Sequence, residues 1–140
     1  PEGDFVDKEG NYIGRHKGII HYTIGQRRGL GIPAASRLYV CEISPKTNTV
    51  VLGDNADLFS SELEADSVNL ISVDSLAEPK RVTAKIRYRH KEQPATAWQT
   101  PDGILHVKFD EPQRAITKGQ AVVMYDGDEV VGGGVINKNL

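Results

Sequence analysis

The sequence has little cysteine and no long apolar run. Its 140 residues include one cysteine, Cys41, so an internal disulfide is excluded. No Cys/His spacing typical of a zinc site is present, so we predict no metal site. No segment reaches the roughly 20 apolar residues of a membrane span, and no basic and apolar leader opens the chain. We therefore expect a cytoplasmic protein without a membrane partner.

An initiating methionine is also absent, because the sequence starts at Pro1. We therefore expect this chain to be part of a longer protein.

A strong net charge of either sign is absent too. The formal charge of −2 argues against a globally basic nucleic-acid binder. The basic residues are nevertheless concentrated in two acid-free segments, 15–28 and 80–91. The first contains Arg15, Lys17, Arg27, Arg28, His16 and His21, and the second contains Lys80, Arg81, Lys85, Arg87, Arg89, Lys91 and His90. This distribution indicates a localised phosphate-binding face, and solvated strand surfaces are the alternative.

Strand patterns separated by turn residues dominate what is present. The segments 37–43 and 49–53 flank the polar loop Ser-Pro-Lys-Thr-Asn, which is typical of a hairpin. The segments 95–100 and 104–109 are joined by Pro-Asp-Gly, and the segments 120–125 and 129–136 by Asp-Gly-Asp. Strands repeated every 8 to 12 residues or so favour a small antiparallel barrel or sandwich. The fold class is therefore mainly β.

Helix signals are weak. Ser60 or Ser61 could cap a short helix or begin a turn, and Thr23 could begin one helical turn that ends at Gly29, with a loop as the alternative. The early part of the chain is glycine-rich and irregular, whereas the later part is regular and rich in strands. We therefore predict a small first domain over residues 1–62, with the hairpin and short helical turns, and a second domain, a barrel or a sandwich, over residues 63–140. The run Gly132–Gly134 predicts a bulge or a close backbone approach in a barrel strand.

The segment "RVTAKIRYRH" alternates with period two. Regular alternation places Lys85, Arg87 and Arg89 on one strand face about 7 Å apart, near the spacing of successive phosphates. Guanidinium groups bind phosphate bidentately and stack on bases, which suits folded RNA. Tyr88 would then face the core, unless a bulge or the strand end turns it outward.

No residue pattern indicates catalysis. His16 and His21 are five residues apart, which suits neither a helical metal pair nor one strand face. Cys41 lies in an apolar alternating strand and is predicted to be a small buried hydrophobic residue rather than a nucleophile. No glycine-rich loop is followed by Lys-Ser or Lys-Thr, so no phosphate-binding loop of that type is predicted.

Three segments carry a resemblance to a known family. They are "GDFVD" with "IGRHKGIIHYTIGQRRGLGI", then "RYRH", then "FDEPQRAITKGQAVVMYDGDEVVGGGVI". Together they resemble the part of the tRNA-specific 2-thiouridylases, of the MnmA or TrmU type, that follows the catalytic domain. The resemblance covers nearly the whole chain. It implies a central domain followed by a β-barrel similar to the second domain of translation elongation factors.

The resemblance also implies partners and a site. Members of the family use ATP and magnesium to activate the wobble uridine of tRNA and replace its C2 oxygen with persulfide sulfur. Their ATP-binding loop and both catalytic cysteines lie upstream of this chain, and Cys41 matches neither. The chain alone is therefore expected to be inactive and to bind no cofactor. The RNA-contacting Arg-Tyr pair of the family corresponds to Arg87 and Tyr88, and its RNA-contacting Gln corresponds to Gln120.

Two functional hypotheses follow. The leading one is a tRNA-binding part of a 2-thiouridylase, with Arg87, Tyr88, Arg89 and Gln120 on the RNA face of the barrel. The turn at Arg27 and Arg28 would meet RNA phosphate or the catalytic domain. The alternative is a protein-packing module that positions the N-terminal catalytic domain or a sulfur-relay protein. A small-molecule enzyme that uses His16 or His21 is disfavoured, because no catalytic pairing is visible.

Overall fold

The structure is a computed structural model that describes residues 1–32 and 38–139. It divides into two compact units, Pro1–Phe59 and Ser60–Leu140. Strands dominate both units, which confirms the predicted mainly β class.

The first unit is a four-stranded sheet. Its strands are β1 (Gly3–Val6), β2 (Tyr12–His16), β3 (Tyr39–Ser44) and β4 (Thr49–Gly53), in the order β2-β1-β4-β3. The β1–β2 and β3–β4 pairs are antiparallel hairpins, and β1 runs parallel to β4. The predicted hairpin is therefore confirmed, although Arg37 at its predicted start lies outside the described residues. Two short 3-10 turns, Ile19–His21 and Ala56–Leu58, complete the unit.

Aromatic packing around a histidine organises the core of the first unit. The rings of Phe5, His16 and Tyr22 meet edge to face, with centroid distances of 5.2 to 5.7 Å. His16 is buried, its Nδ1 accepts the Gly18 N–H, and its Nε2 therefore donates to the Asn48 carbonyl at 2.7 Å. Both ring nitrogens are used, so His16 ties the end of β2 to the β3–β4 loop.

The second unit is a closed barrel of six strands. They are β5 (Phe59–Leu70), β6 (Lys80–Lys85), β7 (Gln93–Gln99), β8 (Leu105–Arg114), β9 (Ala121–Asp126) and β10 (Glu129–Asn139). The order around the barrel is β10-β5-β8-β7-β6-β9, with antiparallel pairing. The predicted antiparallel barrel is thus confirmed, and closure leaves no free sheet edge.

Alternation along the strands fills the barrel. Val82 and Ala84 on β6, Ala95 and Ala97 on β7, and Val122 and Met124 on β9 are all buried. Small alanines and larger aliphatic side chains share one buried cluster, which lets side chains from six strands fit one narrow core.

The helix signal at Ser60 and Ser61 is wrong, because both residues lie in β5. Leu63 and Ala65 alternate inward from this strand and are fully buried, and β5 pairs with β10. Burial of these side chains in the barrel overrides the local capping preference.

The glycine run lies in an irregular part of β10, as predicted. The register with β9 shifts between Val130 and Gly132, and Gly132 has φ 151°. A side chain at Gly134 would place its Cβ 2.7 Å from the Asp66 carbonyl oxygen. Glycine therefore lets β10 approach the β5 backbone closely.

Candidate nucleic-acid interface

The two ends of the barrel carry opposite charge. Because Lys85 at the end of β6 pairs with Val123 near the start of β9, the loops 86–92 and 115–120 lie at the same end. We call these two loops the cationic rim. They contain Arg87, Arg89, Lys91 and Lys118 and one acid, Glu92. The loops at the other end, 71–79, 100–104 and 127–128, contain Asp74, Glu78, Asp102 and Asp128 and no Lys or Arg. The barrel therefore presents one end suited to an anionic partner.

The alternating strand predicted over residues 81–90 is shorter than expected. Strand β6 ends at Lys85, and residues 86–90 form a bend and a turn. Ile86 still faces the core, but Tyr88 is 92% exposed. The regular alternation that would bury Tyr88 is therefore wrong, and the alternative of a strand end that turns it outward is correct.

Arg87 is bound to the neighbouring loop. Its Nη2 donates to the carbonyl oxygens of Arg114 at 2.7 Å and Ala115 at 2.6 Å. Burial, and then the nearby charge of Arg114, lower the pKa of Arg87 from its usual value. Arg87 thus fills backbone acceptors at the end of β8 and does not extend from an exposed strand face.

The other basic residues of this segment have different partners. Lys80 pairs with Asp126 at 2.9 Å, and Arg81 holds both carboxylate oxygens of Asp110 at 2.7 Å. Lys85 lies 5.9 Å from the centroid of the Tyr125 ring. Among residues 1–32 and 38–139, no carboxylate forms an ion pair with Arg89 or Lys91. These two exposed cations follow Tyr88 in the same loop, so they are the charges available to a ligand there.

Gln120 lies at the start of β9 on the same rim. The Gly119 and Ile136 amides donate to the carbonyls of Ile136 and Gln120 at 2.8 Å, which anchors this backbone to β10. The residue is exposed, so its amide group is presented at the rim. The structure therefore brings Arg87, Tyr88, Arg89 and Gln120 to one end of the barrel.

A half-enclosed recess of about 300 Å³ lies beneath the 86–92 loop. Its floor includes Ala84 and Ile86, and its walls are polar or charged. The walls are formed by Arg87, Arg89, His90, Lys91, Gln93 and Gln113. Such a mixture of an apolar floor and cationic walls suits a nucleotide better than an apolar ligand.

The turn at Arg27 and Arg28 lies in the first unit. The helical turn predicted from Thr23 is not formed, and the loop alternative is correct. The Gln26 side chain accepts from the Thr23 amide at 3.0 Å and donates to the Arg28 carbonyl at 2.8 Å. The Gly25 amide also donates to the Val40 carbonyl at 2.7 Å. The compact turn is thus fixed to β3 and leaves both arginine side chains exposed.

The candidate catalytic residues are not brought together. His16 is buried with both nitrogens bonded, whereas His21 is exposed. Burial, and then Asp57 and Asp54, raise the pKa of the Cys41 thiol to about 11. No group of three or more His, Cys, Asp or Glu side chains with metal-binding geometry occurs within residues 1–32 and 38–139. Across the same residues no helix is long and apolar enough to cross a membrane.

Two features of the rim had no signal in the sequence. Thr83 donates to Glu92 at 2.7 Å and closes the base of the 86–92 loop. Ala115 has φ 58°, a left-handed conformation that is rare without glycine. This conformation turns the Ala115 carbonyl toward Arg87, and neither the residue types nor their spacing predicts that contact.

Two family profiles match the chain in the same order as its two units. The profile described as the tRNA methyl transferase PRC-barrel domain matches residues 1–54. The profile described as the aminomethyltransferase beta-barrel domain matches residues 60–136. Relatives named tRNA-specific 2-thiouridylase match nearly the whole chain at 57% to 60% identity. This chain belongs to the tRNA-specific 2-thiouridylase family.

Curated relatives in the family agree with these matches. The chain is 60% identical over 139 residues to a protein named tRNA-specific 2-thiouridylase MnmA from Clostridioides difficile. It is 57% identical over 134 residues to the protein of the same name from Acetivibrio thermocellus. These alignments cover 99% and 96% of this chain but only 38% and 37% of the relatives. The chain therefore spans just over a third of the length of these 2-thiouridylases.

Proposed function

We propose that this chain supplies a tRNA-binding surface of a tRNA-specific 2-thiouridylase. The whole protein would convert the wobble uridine of tRNA to 2-thiouridine with ATP and a persulfide sulfur. The observation that carries the proposal is the cationic rim, where Tyr88 is 92% exposed beside Arg89 and Lys91, cations for which residues 1–32 and 38–139 provide no carboxylate partner. An exposed aromatic ring beside available cations is an arrangement that suits unpaired nucleotides.

Each rim residue has a chemical role in this proposal. Tyr88 stacks on an unpaired base, and Arg89 and Lys91 contact neighbouring phosphates. Gln120 offers both a donor and an acceptor to a base edge or a ribose hydroxyl. Arg87 belongs to the same site. Arg27 and Arg28 of the first unit form a second phosphate contact or meet the catalytic domain.

The chemical step is assigned to the part of the relatives that this chain does not span. Within residues 1–32 and 38–139, the acidic and histidine side chains form no ligand group for magnesium. The raised pKa of the Cys41 thiol leaves little thiolate at neutral pH, so this residue does not fit a persulfide carrier. We therefore propose that ATP, magnesium and the catalytic cysteines belong to a separate catalytic domain.

The test is a titration of labelled tRNA, followed by fluorescence anisotropy at several salt concentrations. We expect Arg89→Ala/Lys91→Ala to weaken binding and to reduce the slope of log K against log salt by about 0.7 to 0.9 for each lost phosphate contact. Tyr88→Ala should cost about 1–3 kcal/mol of binding free energy at an unchanged slope, because stacking carries no charge.

The matched control is Lys108→Ala, which removes an exposed cation from β8 away from the two rim loops. Its affinity and slope should equal those of the wild-type chain. The proposal fails if the wild-type chain binds no tRNA. It also fails if Lys108→Ala lowers the slope of log K against log salt by as much, for each charge removed, as Arg89→Ala/Lys91→Ala does.

Exposed apolar side chains on the first unit favour the second candidate function, a protein-packing module. Ile20 is 88% exposed and Tyr12 is 62% exposed. Such residues suit contact with the catalytic domain or a sulfur-relay protein. This function predicts tight association with a separately expressed catalytic domain that Ile20→Ser weakens, without any effect of Arg89→Ala/Lys91→Ala. Association that is unaffected by Ile20→Ser would contradict it.

A further inference from the structure

The two loops of the cationic rim are held together by one side chain. Arg87 extends from the 86–92 loop, and its Nη2 donates to two successive carbonyls of the chain that leaves β8, those of Arg114 and Ala115. Hydrogen bonds from a charged donor are stronger than neutral ones, and a planar guanidinium is pre-organised for acceptors set this closely. This contact joins the loop that carries Tyr88 to the loop that leads to Gln120.

The receiving loop has a conformation that needs support. Ala115 is buried and has φ 58°, so its backbone is left-handed without the freedom of glycine. Its carbonyl accepts from Arg87 and also from the Thr117 hydroxyl at 2.8 Å. Satisfied acceptors stabilise a turn that would otherwise relax, because an unpaired carbonyl in a buried position is costly.

The 86–92 loop is held at two points. Thr83 donates to Glu92 at the base of the loop, and Arg87 binds the neighbouring loop on the other side. The segment between them, with Tyr88 and Arg89, stays exposed. Rigid loop bases with an exposed tip present a side chain in one place at little entropic cost on binding.

We propose that Arg87 is a positioning residue, which ties the two loops of the cationic rim and so fixes Tyr88 and Gln120 relative to each other, and that it makes no phosphate contact itself. The part of this proposal that is tested by tRNA binding rests on the proposed function. It assigns the phosphate contacts of the rim to Arg89 and Lys91 and assigns Arg87 to the shape of the site.

The salt dependence of tRNA binding separates the two roles. Arg87→Lys keeps the positive charge but replaces the planar fork with a single ammonium. We expect its affinity to fall about tenfold, the size of one lost hydrogen bond to a charged group, at an unchanged salt slope. Arg87→Ala should also keep the wild-type slope. The matched variant Arg89→Ala should lower the slope by about 0.7 to 0.9, whereas the control Lys108→Ala, outside the rim, should keep the wild-type affinity and slope.

Hydrogen exchange without RNA provides the second readout. In Arg87→Lys, the Gly119 and Gln120 amides, which are bonded to Ile136 and Thr117, should exchange faster than in wild type. Arg89→Ala should leave their exchange unchanged, because the hydrogen bonds to the Arg114 and Ala115 carbonyls come from Arg87. Trp98 is the single tryptophan and lies on β7, so its fluorescence in urea shows that each variant barrel is folded.

A slope that falls in Arg87→Ala as it does in Arg89→Ala would overturn the proposal, because Arg87 would then contact phosphate. Unchanged exchange in Arg87→Lys would overturn it as well. If the wild-type chain binds no tRNA, the proposed function fails, and the exchange measurement alone then decides whether Arg87 ties the loops.

Discussion

At the scale of single residues, the partners of a side chain decide its role more than its type does. The acid-free segment 80–91 contains six Lys and Arg residues. Two of them pair with carboxylates, Arg87 binds backbone carbonyls, and Lys85 lies over Tyr125. The side chains of Arg89 and Lys91 form no ion pair, hydrogen bond or cation–π contact with another described residue. A charge count in the sequence therefore overstates the number of cations that a ligand can reach.

Cys41 provides a residue-scale prediction about reactivity. Its thiol is half-buried and close to Asp57 and Asp54, so its pKa rises from 9.0 to about 11. At pH 8 the thiolate fraction falls about 100-fold, and we expect iodoacetamide to alkylate the folded chain about 100-fold more slowly than the urea-unfolded chain. Mass spectrometry of timed samples measures both rates.

The pH dependence of Cys41 has a definite sign. The folded state binds the thiol proton more tightly than the unfolded state, so this group lowers stability only as pH rises from 9.0 through about 11. Alkylation of the folded chain should accelerate over the same window. Equal rates for the folded and unfolded chains at pH 8 would contradict the burial of this thiol.

At the scale of elements, the glycine run of β10 decides whether the barrel closes. β10 pairs with β9 on one side and with β5 on the other. A Cβ at Gly134 would meet the Asp66 carbonyl at 2.7 Å and the Ala65 Cβ at 3.3 Å. Both neighbouring atoms belong to β5, and one of them is a backbone atom. The close contacts can therefore be relieved only if β5 or β10 moves.

Gly134→Ala should therefore destabilise the barrel by about 1–3 kcal/mol, as overpacking does elsewhere. The measurement is urea unfolding followed by the fluorescence of Trp98, which lies in the barrel. Val130→Ala on the same strand is the control, since Val130 is 36% exposed and its truncation should cost much less. An unfolding midpoint that does not differ between Gly134→Ala and wild type would show that β10 can shift without cost.

The elements also show where sequence patterns succeed. The period-two alternation of Val82, Ala84 and Ile86 predicts their burial correctly, because a half-buried strand has one apolar face. The same alternation fails at Tyr88, since β6 ends at Lys85. The serines at the start of β5 fail as helix caps, because burial of Leu63 and Ala65 outweighs a local preference.

At the scale of the whole barrel, charge is separated between the two ends. The loops of the cationic rim carry four basic residues and one acid, and the loops of the other end carry acids without Lys or Arg. A strand of six residues such as β9 spans about 20 Å. The Debye length at physiological salt is about 8 Å, so the acidic end is screened from a ligand at the cationic rim.

This separation predicts that the position of a charge matters more than the net charge. Asp128→Asn/Glu129→Gln changes the net charge by as much as Arg89→Ala/Lys91→Ala, in the opposite direction. At about 0.15 M salt we expect its tRNA affinity to stay within about twofold of wild type, because screening removes its effect at this distance. Anisotropy titrations of both double variants provide the comparison. An affinity gain as large as the loss in the rim variant would show that net charge, and not the rim, controls binding.

Alternation and turn residues, which are local properties of the chain, were enough to predict the mainly β class and the hairpins. The long motifs, which are linear properties, indicated the family and with it the barrel. The Arg-Tyr pair and Gln120 were also named from the resemblance of short segments to the family. Only the tertiary structure decided which cations are available, because ion pairs such as Arg81 with Asp110 join residues far apart in the chain. It alone also showed that Arg87 binds the carbonyl of Ala115, since a left-handed backbone at an alanine leaves no mark in the sequence.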